Sequence, residues 1–304
     1  MVPPLPSVAP ACAWTLAKQR LVAIMSTAAF TRRFIGASAL AMYAFSSYPL
    51  AEPTSDFSLS LAHGSDSVLL EDDDAFAVNV RKVAARIGVK NPENLSIRIG
   101  EETSGASLGA NATIGRRGAC VVLPLELYDA FYATPEERRK FEGQIPTKEE
   151  INFVLAHESA HIARNHSVIS GTFLPLSVVA SCYAIKKIPN KFVASVLGCI
   201  GLVGGNMLMS WRLEHEADHV AAESGFAMGG IHCFQRKLSH NCELRSLMQS
   251  RLITKEGNYL GDTSHPLLTS RIHHLKLIAE GTRTPSEQDA HNHSHSSCRY
   301  CFKM

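Results

Sequence analysis

The chain has 304 residues, 45% of them hydrophobic and 19% charged, a balance that supports a packed core and excludes a disordered polymer. Its formal net charge is only +2, and its 30 Lys and Arg form no basic stripe, so nucleic acid is not an expected partner. Residues 1–51 contain no acid and carry only Lys18, Arg20, Arg32 and Arg33 as charges, the asymmetry of a targeting segment. Arg32 and Arg33 precede the uncharged run 34–45, and Ser46 and Ser47 follow it. That is the layout of a secretory signal over residues 25–46, with the start at Met25 or Met1 left open. The run is too short to span a bilayer, and the acid-free composition also suits a mitochondrial presequence.

Residues 52–70 are Ser-rich and read as an irregular linker; a folded domain is expected over 71–281. After the acidic run 71–74, Phe76, Val80, Val83, Ala84 and Ile87 recur at helical spacing and stop at Gly88. Leu95, Ile97 and Ile99 alternate with polar residues, and 119–123 is a short apolar run, so both predict strands separated by a Gly-rich loop over 101–118. Helices follow over 125–131 and from Pro135. Thr147 and Glu150 form a capping-box pair, which predicts a helix from Lys148 running through His157-Glu158-Ser159-Ala160-His161.

Residues 168–185 and 192–209 are two uncharged stretches joined by a basic turn at 186–191. Each is at the short edge of spanning length, with Pro175 breaking the first. They predict a hairpin that is either inserted in a membrane or buried in the fold. A polar helix resumes at Trp211 and contains Glu214, His215, Glu216, Asp218 and His219. Residues 232–252 form another helix, whose Arg236, Lys237, Glu243 and Arg245 read as a solvated face. His265-Pro266 leads into a last helix over 263–278. The tail 282–304 reads as disordered, although His291, His293, His295, Cys298 and Cys301 are also metal-binding types. Cys233 and Cys242 would pair as a disulfide in an exported domain.

The spacing His157-Glu158-x-x-His161 carries the chemistry. Four residues apart on a helix, both imidazoles share a face and reach one metal ion, with Glu158 beside them. A catalytic zinc usually takes three protein ligands, so one is missing. Arg164 and Ser167 stand where a metzincin needs Gly and His, which excludes that class. The remaining source is a carboxylate from a second helix. Glu214 supplies one, and Asp218 one turn later supplies an acceptor that orients an imidazole.

HESAHIARNH at 157–166, then ExEAD through Glu214, Glu216, Ala217 and Asp218, then His265-Pro266 with Arg271-Ile272, resembles the gluzincin metallopeptidases. These group HtpX, the CAAX prenyl endopeptidases and the Oma-type and Bep-type proteases. Ala110-Asn111-Ala112 is similar to that family's segment upstream of the active helix. The resemblance implies a mostly helical α+β, zincin-like fold with a small sheet packed against the HExxH helix. It also implies one Zn2+ per chain, held by His157, His161 and Glu214. Glu158 would be the general base, and Asp218 would support a ligand. His265 and Arg271 would meet the substrate carbonyl or the oxyanion, with His265 alternatively an inhibitory fourth ligand. The strand 119–123 would be an edge that pairs with an extended substrate.

The implied activity is metal-dependent endoproteolysis of protein or peptide substrates in membrane-associated quality control. The expected location is exported and membrane-associated, facing the periplasm, with the mitochondrial inner membrane as the alternative. An inactive zinc-stabilised scaffold of chaperone type and a CAAX-type endopeptidase are the competing readings. The resemblance leaves oligomeric state open. His215 and His219 read as surface residues, and His166 as a packing or capping residue as readily as a functional one.

Overall fold

The computed structural model describes residues 15, 18–20, 28–62, 64–101, 105–141 and 143–281. The start at Met25 and the tail 282–304 lie outside the described residues. Local chemistry starts and stops the elements much as the sequence predicts. Asp74 accepts from the amides of Phe76 and Ala77, and Gly88 closes the helix 75–87 at φ 95°. The Thr147–Glu150 capping box is formed in both directions and opens the helix Lys148–Ala163.

In chain order the helices are α1 (Ala28–Ala51), α2 (Asp56–Leu61), α3 (Ala75–Ile87), α4 (Ile114–Arg117), α5 (Leu125–Tyr132) and α6 (Pro135–Lys140). The HExxH helix α7 (Lys148–Ala163), α8 (His166–Lys187), α9 (Lys191–Ala221), α10 (Ala227–Met248) and α11 (Leu268–Gly281) follow. The strands are β1 (Val68–Leu69), β2 (Leu95–Gly100), β3 (Ala106–Leu108) and β4 (Ala119–Pro124). They form one sheet in the order β1-β2-β4-β3, with β2 and β4 parallel and the outer pairs antiparallel. The fold is therefore α+β and mostly helical, as expected. Phe76, Val80 and Ile87 of α3, Ile97 of β2, Val121 of β4 and Phe153 and Leu155 of α7 share one buried core, which clamps α7 between sheet and helices.

Three expectations change. The strand at 119–124 is interior, because residues 106–108 turn back beside it as β3 and take the edge. The supposed linker 52–70 contains α2 and β1, with Ser58 and Leu59 buried. Cys233 and Cys242 are free thiols on one helix, α10. Nine residues of helix separate their Cα atoms by about 13 Å, beyond the reach of a disulfide.

The apolar hairpin is longer than its hydrophobic runs. Pro175 sits inside α8 without ending it, and α9 runs unbroken for 31 residues from the basic turn through Glu214 and Asp218. α1 packs along α8, with Ser46 Oγ donating to Gly171 O at 2.8 Å. Residues 32–51, 166–187 and the apolar part of α9 are each long and apolar enough to cross a membrane, and most of their surface is uncovered. The uncharged run 34–45 is thus the middle of a longer helix.

Where α10 crosses α7 the backbones nearly touch. A Cβ on Gly229 would lie 2.2 Å from the Glu149 carbonyl oxygen. Because that contact is backbone and cannot swing aside, Gly229→Ala is expected to cost about 1–3 kcal/mol of stability. A lowered midpoint in chemical denaturation checks this, and an unchanged one would contradict the contact.

Candidate active site

Each group of the site is delivered by a different piece of local chemistry. The capping box places His157 and His161 one turn apart on α7, and Asn111 fixes the other end of that helix. Its amide N–H donates to Ile162 O at 2.9 Å and its side-chain Nδ2 to Ala163 O at 3.1 Å. This gives the Ala110-Asn111-Ala112 segment its structural part. Arg236 pins the start of α7 through Nε to Glu150 Oε1 at 3.0 Å, so it is not on a solvated face.

The continuous α9 brings Glu214 over the two imidazoles. His157 Nε2 lies 3.4 Å from Glu214 Oε2, His161 Nε2 lies 3.3 Å from Glu214 Oε1, and the two Nε2 atoms are 3.2 Å apart. Their candidate ligand atoms all fall within 4.8 Å of one another. Glu158 is buried beside them, and a Cβ on Gly105, just before β3, would sit 3.0 Å from its Oε1.

Each imidazole is held from behind. Asp218 Oδ1 accepts from His157 Nδ1 at 3.0 Å, which leaves the Nε2 lone pair turned to the cluster. His166 Nδ1 lies 2.9 Å from His161 Nδ1 and does the same for the second ring, so His166 is more than a packing residue. Glu216 approaches the far nitrogen of His166 at 3.7 Å.

Arg271 departs from its expected placement. Its Nε and Nη2 both donate to Asp218 at 2.7 Å, Nη1 lies 3.3 Å from Glu214, and the guanidinium stacks 4.3 Å over Phe234. Its fork is occupied by Asp218, and at 6% exposure it presents no free edge to a substrate. His265 does face the site, with Nε2 3.6 Å from Glu214 Oε2. Asp262 holds its Nδ1 at 2.8 Å and accepts from the Ser264 amide at 2.9 Å. Asp262 was not anticipated, although its place three residues before His265 is a recognisable short-range pairing.

A cleft of about 290 Å³ opens on these groups, walled by Phe153, Phe234, Leu268, Tyr259 and His265. Larger hollows lie beside Ser67 and Tyr128 and beside Phe141 and Tyr132, without such a convergence of titratable groups.

The model of peptidase family M48 matches residues 75–279, well over half of the chain. The chain belongs to peptidase family M48. It is accordingly a metallopeptidase, and M48 peptidases are zinc-dependent. No curated protein and no solved structure matched it.

The residues present fit the M48 metal on two structural grounds. Glu214 Oε2 is buried at the point on which the histidines converge, approached by Arg271 Nη1 at 3.3 Å and His157 Nε2 at 3.4 Å. Charge points the same way. Three buried carboxylates, Glu158, Glu214 and Asp218, gather with the buried Arg271 guanidinium and with Lys237 at the cleft wall, which leaves a formal excess of one negative charge that a metal cation would offset. Burial alone would push the His157 pKa down, yet hydrogen bonds to Asp218 and Glu214 hold it up at about 10. A proton there does in part what a metal cation does.

Proposed function

We propose that this M48 member is a zinc-dependent endopeptidase that cuts protein substrates at a membrane surface, in protein quality control. The observation that carries it is the convergence of His157, His161 and Glu214 on one point with Glu158 alongside. These three side chains would hold the zinc, which when bound polarises the scissile carbonyl and acidifies water.

The chain's own groups supply the remaining steps. Glu158 takes the proton of the attacking water on its carboxylate and returns it to the leaving amine. His265, oriented by Asp262, donates from Nε2 to the carbonyl oxygen as negative charge grows there. Asp218 keeps His157 in the tautomer that offers Nε2, and His166 does so for His161. Arg271 is a positioning residue that locks Asp218 and balances its charge. β3 is the edge strand nearest Glu158, so an extended substrate adds to β3 rather than to β4. Treating the detergent-solubilised enzyme with a chelator is expected to abolish cleavage of an unfolded protein. One equivalent of Zn2+ should restore it, and activity that survives complete removal of metal would refute the reading.

Membrane attachment is supported by the three long apolar helices. Ser46 near the end of α1 meets Gly171 near the start of α8, so the two helices run antiparallel. Arg32 and Arg33 then lie at the same end of the bundle as Lys186 and Lys187. The positive-inside rule favours the cytoplasmic or matrix side for that shared end, which supports a catalytic domain on the opposite side. In this reading α1 is a retained anchor rather than a cleaved signal. The mature protein should resist carbonate extraction and keep residues 28–51 by N-terminal sequencing; a mature terminus near Ser47 would exclude retention.

A further inference from the structure

His215 and His219 stand one turn apart on α9, turned roughly 100–140° about its axis from Glu214. Opposite them on α11 is His274. Its ring centroid lies 5.3 Å from that of His215 and 5.7 Å from that of His219. Two imidazoles bound to one tetrahedral cation, with metal–nitrogen bonds of about 2.0–2.1 Å, have centroids about 5 Å apart. Both spacings are close to that value.

The ring nitrogens supply a second, independent observation. His215 Nδ1 and His274 Nε2 are closed off from solvent and have no hydrogen-bond partner among the described residues. Buried polar atoms are ordinarily paired, and an orphan is a reason to look for a missing ion. His219 is steadied by Glu223, with Nε2 3.2 Å from Oε1, the carboxylate support that metal-binding histidines commonly have.

We infer that His215, His219 and His274 form a second metal site, for a divalent d-block cation of the zinc, nickel or copper kind. An all-imidazole donor set suits such ions rather than calcium or magnesium. Their nitrogens are not gathered as tightly as those of His157, His161 and Glu214, so binding requires the three rings to reorient around the ion. A cation there ties α9, which carries Glu214 and Asp218, to α11, which carries Arg271. The two helices that frame the catalytic cluster would then be stapled on their outer side.

The test uses the full chain in detergent, stripped of metal and equilibrated by dialysis with Zn2+ alone. Metal per chain is read by elemental analysis. In a background of His161→Ala with Glu214→Gln, which removes the catalytic ligands, adding H215A and H274A should lower bound Zn2+ by one equivalent. Equal stoichiometry with and without the pair would overturn the assignment and place any remaining ion elsewhere, such as the Cys298–Cys301 tail. Circular dichroism checks that the variants fold. H219A alters a more exposed ring, so it repeats the test with less risk to the core. Its zinc affinity at this site should fall at least about ten-fold, and unchanged affinity would count against the site. Copper loading of the same background should give a spectrum with nitrogen hyperfine structure that the H215A/H274A pair removes.

Discussion

Glu158→Gln is expected to lower kcat by about 10²–10⁴-fold while leaving bound zinc unchanged, because a glutamine amide cannot take the proton of the attacking water. The substitution is nearly isosteric, and Glu158 is not one of the three residues whose ligand atoms converge. Zinc content and folding should therefore stay at the wild-type level while turnover collapses. The pairing of these two readouts separates a working peptidase from a zinc-stabilised scaffold. A scaffold would lose nothing, and full proteolysis by Glu158→Gln would rule out the proposed chemistry. If zinc left together with activity, Glu158 would have to be reassigned as a ligand.

The next largest effect is expected on stability. Asp218 is fully buried and Arg271 is 6% exposed, and they are joined by two hydrogen bonds of 2.7 Å. Arg271→Ala leaves the buried Asp218 charge with only the His157 N–H to hold it, at a cost of about 3–5 kcal/mol. Replacing both residues by apolar ones of similar volume removes the stranded charge, so R271M/D218L should recover most of that stability. It should not recover metal binding. His157 would lose the acceptor that fixes its tautomer, with zinc affinity about 10–100-fold weaker. Denaturation curves and zinc competition on the two variants give the answer. A double variant that regained both properties would show Asp218 to be dispensable to the site.

How far the sequence could be read follows from the range of the forces involved. Thr147 and Glu150 are three residues apart and Pro135 fixes its own backbone, so both helix starts were legible and formed as expected, the second with an unanticipated Thr134–Glu137 capping box. The same holds for the buried stripe of α3. The HExxH spacing placed two imidazoles on one face, and they do meet Glu214. What was not legible depends on partners distant in the chain. β3 has three residues and becomes a strand only because β4 offers it an edge. Arg236 looked like solvated charge until Glu150, 86 positions away, was brought beneath it. Arg271 could be assigned to the site from its motif, but the direction of its fork depends on Asp218, 53 residues earlier. His166 had a position in a familiar spacing, whereas its contact with the back of His161 required the turn at Asn165, which takes φ 58°.

The unbroken course of α9 also sets a height. With its apolar stretch to Met209 across a bilayer, Glu214 sits five residues farther on, about 8 Å along the axis. That distance reaches about the outer edge of the headgroup layer, which is roughly 5–7.5 Å deep on each side. His161 is tied just as closely to the start of α8. Under the proposed membrane attachment the blade would be mounted at the waterline, and what it severs would be decided first by which part of a protein chain reaches that surface.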